Sequence, residues 1–461
     1  MKVCLVNPPW TVKGKNIWAY IRSTMPPLGL MYLASTLESK NIEVDIIDFQ
    51  ALEMDWDAVE AKIKTLNYDV FGLTSTTLTV KNAYRVSRII KENFPNSTVV
   101  LGGVHATALP DEPLTLNPTI DYSVRGDGEE AFLEIVQGKP VDTIQGISYR
   151  DGDTIKHVGG PGFVKDLDAL PPPAYHKLDL SLYKPAKGGY KRLPAMNMAA
   201  TRGCPGKCTF CNSADVTLRV RKPELIAAEM QMLSEKYGVR EITFYDDTFT
   251  VFPQNVKKLC DILIEKKIDM TWSCLARTDT VKEPLLKSMN EAGCHQICYG
   301  IESYNMEVLE AIRKPIDIDR TREAVRLTKK AGINVRCAFM FGNPGETEET
   351  MEESIQFALE LNPHIAMFNI TMPYPGTQMF DWAKENGYLL TEDWNDYDWA
   401  HPVMTVPTVS MDAIQQKYKE AYRRYYFRPK FIFQRLRKIT NLEELKICFV
   451  GAKGILKFVG A

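Results

Sequence analysis

Three of the chain's ten cysteines fall in one short run, Thr201-Arg202-Gly203-Cys204-Pro205-Gly206-Lys207-Cys208-Thr209-Phe210-Cys211. Three residues separate the first pair and two the second. A loop of that span can aim three thiolates at one point. Three thiolates can hold three irons of a four-iron cluster and leave the fourth iron open, because complete Cys ligation needs a fourth thiolate. The next cysteine is Cys260, so no fourth ligand follows within reach of the loop. Two other readings fit the same residues. Zinc takes thiolates, although structural zinc asks for four ligands, commonly in paired spacings. A chance grouping in a loop would carry no chemistry.

A scaffold must present these cysteines. From residue 196 to about residue 385, apolar strand-like blocks alternate with amphipathic segments. Strands read at residues 196–200, 240–245, 270–275, 296–301, 335–341 and 366–371, with helices between them. Six such units fall short of the eight of a closed barrel, so the pattern predicts a partial (β/α)6 barrel, open and parallel. Polar residues gather at the carboxyl ends of these strands, the catalytic face of such barrels. Asp246 and Asp247 follow the second strand, Arg277 the third and Glu302 the fourth. The aspartates could equally be helix caps, and Arg277 and Glu302 an inter-strand salt bridge. A guanidinium fork at Arg277 would also suit a ligand carboxylate. Cys4, Cys260, Cys274, Cys294, Cys298, Cys337 and Cys448 show no metal spacing and read mostly as buried small apolar residues.

The first 140 residues alternate in the same way. Short strands read at residues 3–7, 44–48, 70–74, 99–101 and 122–125, separated by helical patterns. Short buried strands alternating with helices predict a doubly wound, Rossmann-like parallel sheet. Ligands of such sheets lie outside the strands' carboxyl ends. The loops there are Asn7-Pro8-Pro9, Thr74-Ser75-Thr76-Thr77, Gly102-Gly103-Val104-His105-Ala106-Thr107 and Gly126-Asp127-Gly128-Glu129-Glu130. Glycines admit close backbone approach and hydroxyls offer neutral hydrogen bonds. Residues 141–195 form a connector, with a hairpin near residues 146–153 and the proline run 171–173 as a stiff crossing.

The Cys-x3-Cys-x2-Cys run with Phe210 before its last cysteine resembles the radical S-adenosylmethionine (SAM) signature. The resemblance implies a 4Fe-4S cluster on Cys204, Cys208 and Cys211, whose open iron takes SAM and cleaves it to a 5'-deoxyadenosyl radical. It implies SAM contacts at Phe210, Asp246, Asp247, Arg277 and Glu302. The glycine-rich loops upstream, with Pro26-Pro27-Leu28-Gly29-Leu30, resemble the cobalamin-binding domain of the cobalamin-dependent radical SAM class. That implies cobalamin contacts at Asn7, Pro8, Thr74, Ser75, Thr76, Gly102, Gly103, His105, Thr107, Gly126, Gly128 and Glu129. The Asp-x-His-x-x-Gly motif that supplies a lower His to cobalt is absent, since Gly103 stands two positions before His105. His105 is therefore expected as a loop hydrogen-bonder, and the 74–77 loop beneath the corrin. A degenerate domain that binds nothing is the alternative. The class implies an anaerobic enzyme, most often a methyltransferase that moves a methyl group from methylcobalamin to an unactivated carbon. A ring-forming cyclase of the anaerobic magnesium-protoporphyrin ester type has the same architecture. A non-catalytic cobalamin or electron carrier is the third reading. The class also implies an external one-electron reductant, a flavodoxin or ferredoxin.

Composition agrees with a globular enzyme: 45% hydrophobic, 25% charged and a net charge of -2. Such a balance gives no reason to expect nucleic acid. Ten cysteines suit a reducing compartment, so a cytoplasmic protein is expected. The first residues read as a strand and not as a leader. Residues 386–461 read as a small, mainly helical region. Trp394, Tyr397 and Trp399 are expected at a substrate entrance. Aromatics and cations mix from Tyr425 onward, which suits packing on the barrel or peripheral contact with a membrane and a lipid-like substrate.

Overall fold

Val3 and Leu5 are as buried as Cys4 and Val6. A strand with no exposed face belongs inside a sheet covered on both sides. The computed structural model describes residues 1–10, 23–186 and 188–437, with Gly454 and Leu456. It places β1 (Lys2–Asn7), β2 (Glu43–Asp48), β3 (Val70–Thr74), β4 (Thr98–Gly102) and β5 (Tyr122–Val124) in the order β2-β1-β3-β4-β5, all parallel. Val3, Leu5, Val70 and Val100 pack on helices Leu28–Glu38 and Glu129–Val136. Cys4, Val6, Phe71 and Leu73 pack on the opposite side with Val59 and Ile63 of Trp56–Lys64 and Val86 of Val80–Asn93. The order turns back between β1 and β3, where such sheets open a crevice for a ligand. The hairpin expected in the connector forms as β6 (Ile147–Asp151) and β7 (Thr154–His157). It does not stand apart, since β6 pairs antiparallel with β5 and extends the sheet.

The second sheet runs β15-β14-β13-β12-β11-β8, every pair parallel. Its strands are β8 (Ala195–Met198), β11 (Glu241–Phe244), β12 (Thr271–Ala276), β13 (Cys294–Glu302), β14 (Asn334–Phe341) and β15 (Ile365–Ile370). Between β8 and β11 the cysteine run lies inside an antiparallel hairpin, β9 (Thr201–Cys204) with β10 (Val216–Val220). Alternate residues separate two faces. Phe339, Phe341 and Phe368 are buried outward, where Tyr422 and Tyr425 of helix Met411–Tyr426 pack on Phe368. That helix is a cover of the barrel: Tyr422 Oη donates to the Phe368 carbonyl at 3.0 Å. The opposite parity lines a hollow, for Tyr245 and Leu275 are 51% and 42% exposed although they point into the barrel.

Cys4, Cys260, Cys274, Cys294 and Cys337 are buried as expected, Cys298 is only partly so, and Cys448 lies outside the described residues. Cys298 has the parity of Glu302 and faces the hollow. No helix among the described residues is long and apolar enough to cross a membrane.

The barrel floor is closed at Glu241. Its carboxylate is fully buried and accepts from the Lys191 and Arg192 amides at 2.6 and 2.7 Å and from Thr271 Oγ1 at 2.9 Å. His295 Nε2 lies 2.8 Å from its other oxygen. Glu241→Ala strands the buried Thr271 and His295 and two backbone amides at once. It is expected to cost about 3 kcal/mol of stability, read as a lower denaturation midpoint, and an unchanged midpoint would refute the floor's role.

Candidate functional site

The cysteine loop is pinned from three sides. Thr209 donates its amide to the Ile312 carbonyl at 3.0 Å and accepts from the Met379 amide at 2.9 Å. Asp246, 1% exposed, accepts from the Ala200 amide at 3.1 Å and Thr201 Oγ1 at 2.6 Å. Burial raises its carboxyl to about 6 against those hydrogen bonds. Asp246 is thus neither a helix cap nor free for a ligand; it fixes where the loop begins. Asp247 is exposed at the mouth of the hollow and bonds Ser213 in the loop, and desolvation raises its carboxyl.

Cys204, Cys208 and Cys211 are free and half-buried. Desolvation raises the thiols of Cys208 and Cys211, and the neighbouring cysteines raise them further. Compensation comes from backbone and cations. The Gly206 amide donates to Cys204 Sγ at 3.4 Å, and Ser213 donates from its backbone to Cys211. Lys314 and Arg277 favour the thiolate of Cys208. Among the described residues no trio of His, Cys, Asp or Glu converges as ligands of a single ion would.

Glu302 ends β13 with φ at +66°, beside a register shift against β14. Its carboxylate meets Lys314 Nζ at 3.1 Å, and both are largely buried. Lys314 was not foreseen from sequence. It follows a short helix and a loop, and the fold alone brings it to Glu302. Arg277 is held by Asp279, with Nε and Nη2 at 3.0 and 2.7 Å from the two carboxylate oxygens. Neither residue bridges to the other as an inter-strand pair. Phe210 lies beside a recess of about 700 Å³ with Met340, Asn369, Met372, Tyr374 and Trp399. Of the aromatics expected at an entrance, Trp399 is there. Trp394 and Tyr397 are 4% and 0% exposed and serve as packing.

A second recess, about 900 Å³ with its open mouth, lies between the two sheets. Thr74, Gly102, Gly103, Gly126, Gly128 and Glu129 line it, with Ala199 and Arg202 from the barrel side. Glycine is what lets these loops pack closely on one another. At Gly103 (φ +102°) a Cβ would lie 2.4 Å from the Ser75 carbonyl oxygen, and at Gly126 (φ +80°) 2.2 Å from that of Gly162. The other candidates stand behind the wall. Thr107 Oγ1 donates to the Gly103 carbonyl and accepts from the Gly126 amide, tying two loops. Ser75 Oγ donates to the Gly102 carbonyl. Asn7 is held by Asp48 and Gln50, Pro8 is buried beside it, and Thr76 is bonded to Thr79. His105 is fully buried, its Nδ1 3.3 Å from Thr77 Oγ1 and its Nε2 3.2 Å from Glu112 Oε1, with Trp394 packed edge-on. Both ring nitrogens are engaged, so it is no metal ligand here.

Arg202 ties the cysteine loop to this recess. It sits two residues before Cys204, and its Nη2 lies 2.7 Å from Glu129 Oε1 and its Nη1 3.4 Å from Asp127. Arg219 of β10 also pairs with Asp127.

The family description "Radical SAM superfamily" matches residues 198–358, and "B12 binding domain" matches residues 14–136. An uncharacterized methyltransferase of Pyrococcus horikoshii is 35% identical over 444 residues, covering 94% of each chain. The chain belongs to the cobalamin-dependent radical SAM enzymes. An anaerobic magnesium-protoporphyrin IX monomethyl ester cyclase of Rubrivivax gelatinosus is 28% identical, over 94% of this chain and 78% of the relative. The solved structure of the cobalamin-dependent SAM radical enzyme OxsB, with aqua-cobalamin and SAM bound, superposes with a TM-score of 0.75 over 97% of this chain and 70% of that one, at 16% identity. This radical SAM enzyme therefore has the fold that its two sheets suggested, and the family's cofactors are a 4Fe-4S cluster, SAM and cobalamin.

One buried acid at the barrel mouth predicts a pH response. Glu346 accepts from the Gly342 and Asn343 amides at 2.6 and 2.9 Å, its other oxygen has no partner, and burial raises it to about 8. The folded chain then keeps a proton that the unfolded chain releases near pH 4.5, so stability falls as pH rises from about 4.5 to 8. Glu346→Gln removes this slope. Its stability relative to the parent is expected to climb through that window by a few kcal/mol, at ~1.4 kcal/mol for each tenfold fall in proton activity, read by denaturation at several pH values. A pH-independent difference would refute the assignment.

Proposed function

We propose that the chain is a C-methyltransferase in which Cys204, Cys208 and Cys211 hold the cluster and the glycine-walled recess holds cobalamin. The observation that carries this is the Arg202 bracket, which sets the cysteine loop against that recess. When bound, the cluster supplies the electron that cleaves SAM to the deoxyadenosyl radical, and cobalamin supplies the methyl group. The chain's own residues bind and shield. Thr74, Gly102, Gly103, Gly126, Gly128 and Glu129 are the cobalamin contacts in this reading, while Asn7, Ser75 and Thr107 brace them. Asp247, Glu302 with Lys314, and Arg277 surround the polar end of SAM, and Phe210 with Met340 and Asn369 takes its adenine. A planar fork at Arg277 suits the SAM carboxylate once Asp279 yields one of its two contacts.

In this division residues 1–140 carry cobalamin, 141–195 connect, 196–385 cleave SAM and 386–461 cover the barrel. The substrate is a small molecule, and a flavodoxin or ferredoxin is the electron donor. The Pyrococcus relative's name supports methyl transfer; the Rubrivivax relative's name keeps ring formation as the second reading.

Anaerobic reconstitution tests the assignment. The parent is expected to hold about four irons and one cobalamin per chain, and to place the labelled methyl of SAM in its product. Cys204→Ala, Cys208→Ala or Cys211→Ala each should lose nearly all iron and all 5'-deoxyadenosine while keeping cobalamin. Product without label would favour cyclisation. Iron retained by all three variants would refute the ligand set.

Helix Pro429–Leu436 presents Ile432, Phe433 and Leu436, 43%, 56% and 57% exposed, beside Lys430, Arg435 and Arg437. An apolar face with flanking cations suits an anionic bilayer surface, and we include peripheral membrane contact in the proposal. Lys438, Lys453 and Lys457, also in this stretch, lie outside the described residues. Phe433→Asp with Ile432→Asp is expected to abolish cosedimentation with phosphatidylserine vesicles. Equal sedimentation of parent and variant would remove the membrane contact.

A further inference from the structure

Most buried or half-buried guanidinium groups in this chain have clear partners. Arg202 has Glu129, Arg221 has Glu229, and Arg150 is ringed by the carbonyls of Leu114, Asn117 and Ile120. Arg336 of β14 is different. Among the described residues it makes no ion pair. Its Nη1 meets Gln296 Oε1 at a long 3.4 Å, its Nη2 meets the thioether of Met367 at 3.0 Å, and its Nε is buried with no partner. A thioether is a weak acceptor. Arg336 is half-buried, and a guanidinium with a buried, unpartnered Nε and so few acceptors is costly unless something completes it.

Its position says where that something comes from. Arg336 has the parity of Ala338 and Met340, the residues of β14 that alternate with fully buried Val335, Cys337 and Phe339. It therefore faces the hollow, as do Cys298 on β13 and Met367 on β15, its neighbours in register or contact. Met340, four residues on, lines the recess beside Phe210. Four residues of strand put Arg336 about 13 Å deeper in the barrel. The wall there is apolar or soft: Tyr245, Leu275, Cys298 and Met367. The carboxylates facing the hollow are already engaged, Glu302 by Lys314 above and Glu241 by the floor amides below. Arg277 already serves the mouth, near Cys208.

We infer that Arg336 anchors an anionic group, a carboxylate or a phosphate, on the substrate, which lies in the barrel with that group inward and its reacting carbon toward the cysteine loop. The inference deepens the proposed function and rests on its reading that the substrate enters the hollow. A guanidinium fork accepts either oxyanion bidentately. The substrate is then an acid with an apolar body, and a neutral compound of the same shape is rejected because it leaves Arg336 unpaired.

Decanoate, decyl phosphate and decanol test this by calorimetry on the anaerobically reconstituted full chain. At least one anion is expected to bind about tenfold or more tighter than decanol, and the tighter anion names the source of the charge. Arg336→Gln should erase the preference, and Arg336→Lys should keep part of it. Equal binding of all three probes to the parent, or a preference that survives in Arg336→Gln, would overturn the anchor. So would a fall of about 5 °C or more in the melting temperature of both variants, which would make Arg336 part of the scaffold. These measurements need no methyl transfer. An anion preference without labelled product would leave the anchor standing and sink methylation, and labelled product without preference would do the reverse.

Discussion

The bracket between Arg202 and the pair Asp127 and Glu129 is the contact on which the rest of the site depends. Two α/β units could meet in many ways, and apolar burial alone does not choose among them. A buried charge pair does, because any other register leaves a carboxylate or a guanidinium desolvated and alone, at several kcal/mol each. Arg202 also lies over the Tyr32 ring at 4.9 Å, so the helix under the recess is tied to the same point. The bracket is stiffened from the other strand of the hairpin by Arg219 on Asp127. Tyr175 on Glu229 and Tyr183 on Asp48 hold the crossing segment to both halves. The cysteine loop is therefore aligned to the glycine-walled recess by the chain's own contacts.

Much of this was legible in the chain. Short apolar blocks between helical patterns marked both parallel sheets, because a strand buried on two faces leaves no polar alternation to hide it. The cysteine spacing marked the loop, and the glycine pairs marked places where a side chain would collide with a neighbouring carbonyl. Local roles were less legible. Asp246 reads like a cap or a ligand, and only the β8–β11 register brings it under the Ala200 amide. His105 stood at a strand end, as a ligand would, yet Glu112, seven residues on, and Trp394, from the far C-terminal region, enclose it. Trp394 and Tyr397 looked like a mouth because aromatics in acidic loops often are one, but they became the packing that holds the C-terminal cover to the first domain.

Two residues were missed for opposite reasons. Lys314 carries no pattern at all: it is one lysine after a short helix, and its closeness to Glu302 and Cys208 is purely tertiary. Arg336 did carry a signal. In Asn334-Val335-Arg336-Cys337-Ala338-Phe339-Met340-Phe341 the large apolar residues alternate, so the arginine had to share a face with Ala338 and Met340. In a closed hydrophobic core that would be an error of patterning. In a strand whose other face is an open barrel it marks the inside.

The shape of the chamber follows from these same contacts. Glu241 gathers the Lys191 and Arg192 amides, Thr271 and His295 into a plug at the floor of the hollow. The first domain, locked by Arg202, sits over the mouth. Helix Met411–Tyr426 seals the β14 and β15 side through Tyr422 and Tyr425. A carbon radical attacks whatever lies beside it, so its chemistry needs water and stray side chains kept away. Six strands do not close a barrel, and here the missing enclosure is supplied by the floor plug, the first domain and the C-terminal helix. The wall itself stays unreactive where it can: most of the barrel's cysteines point outward into the core, and Cys298 is the exception that faces in. The S–H bond of that thiol is weak enough for a carbon radical to take its hydrogen, so the substrate must be held firmly enough to present its carbon first, and a charged anchor deep in the hollow is the kind of contact that does so.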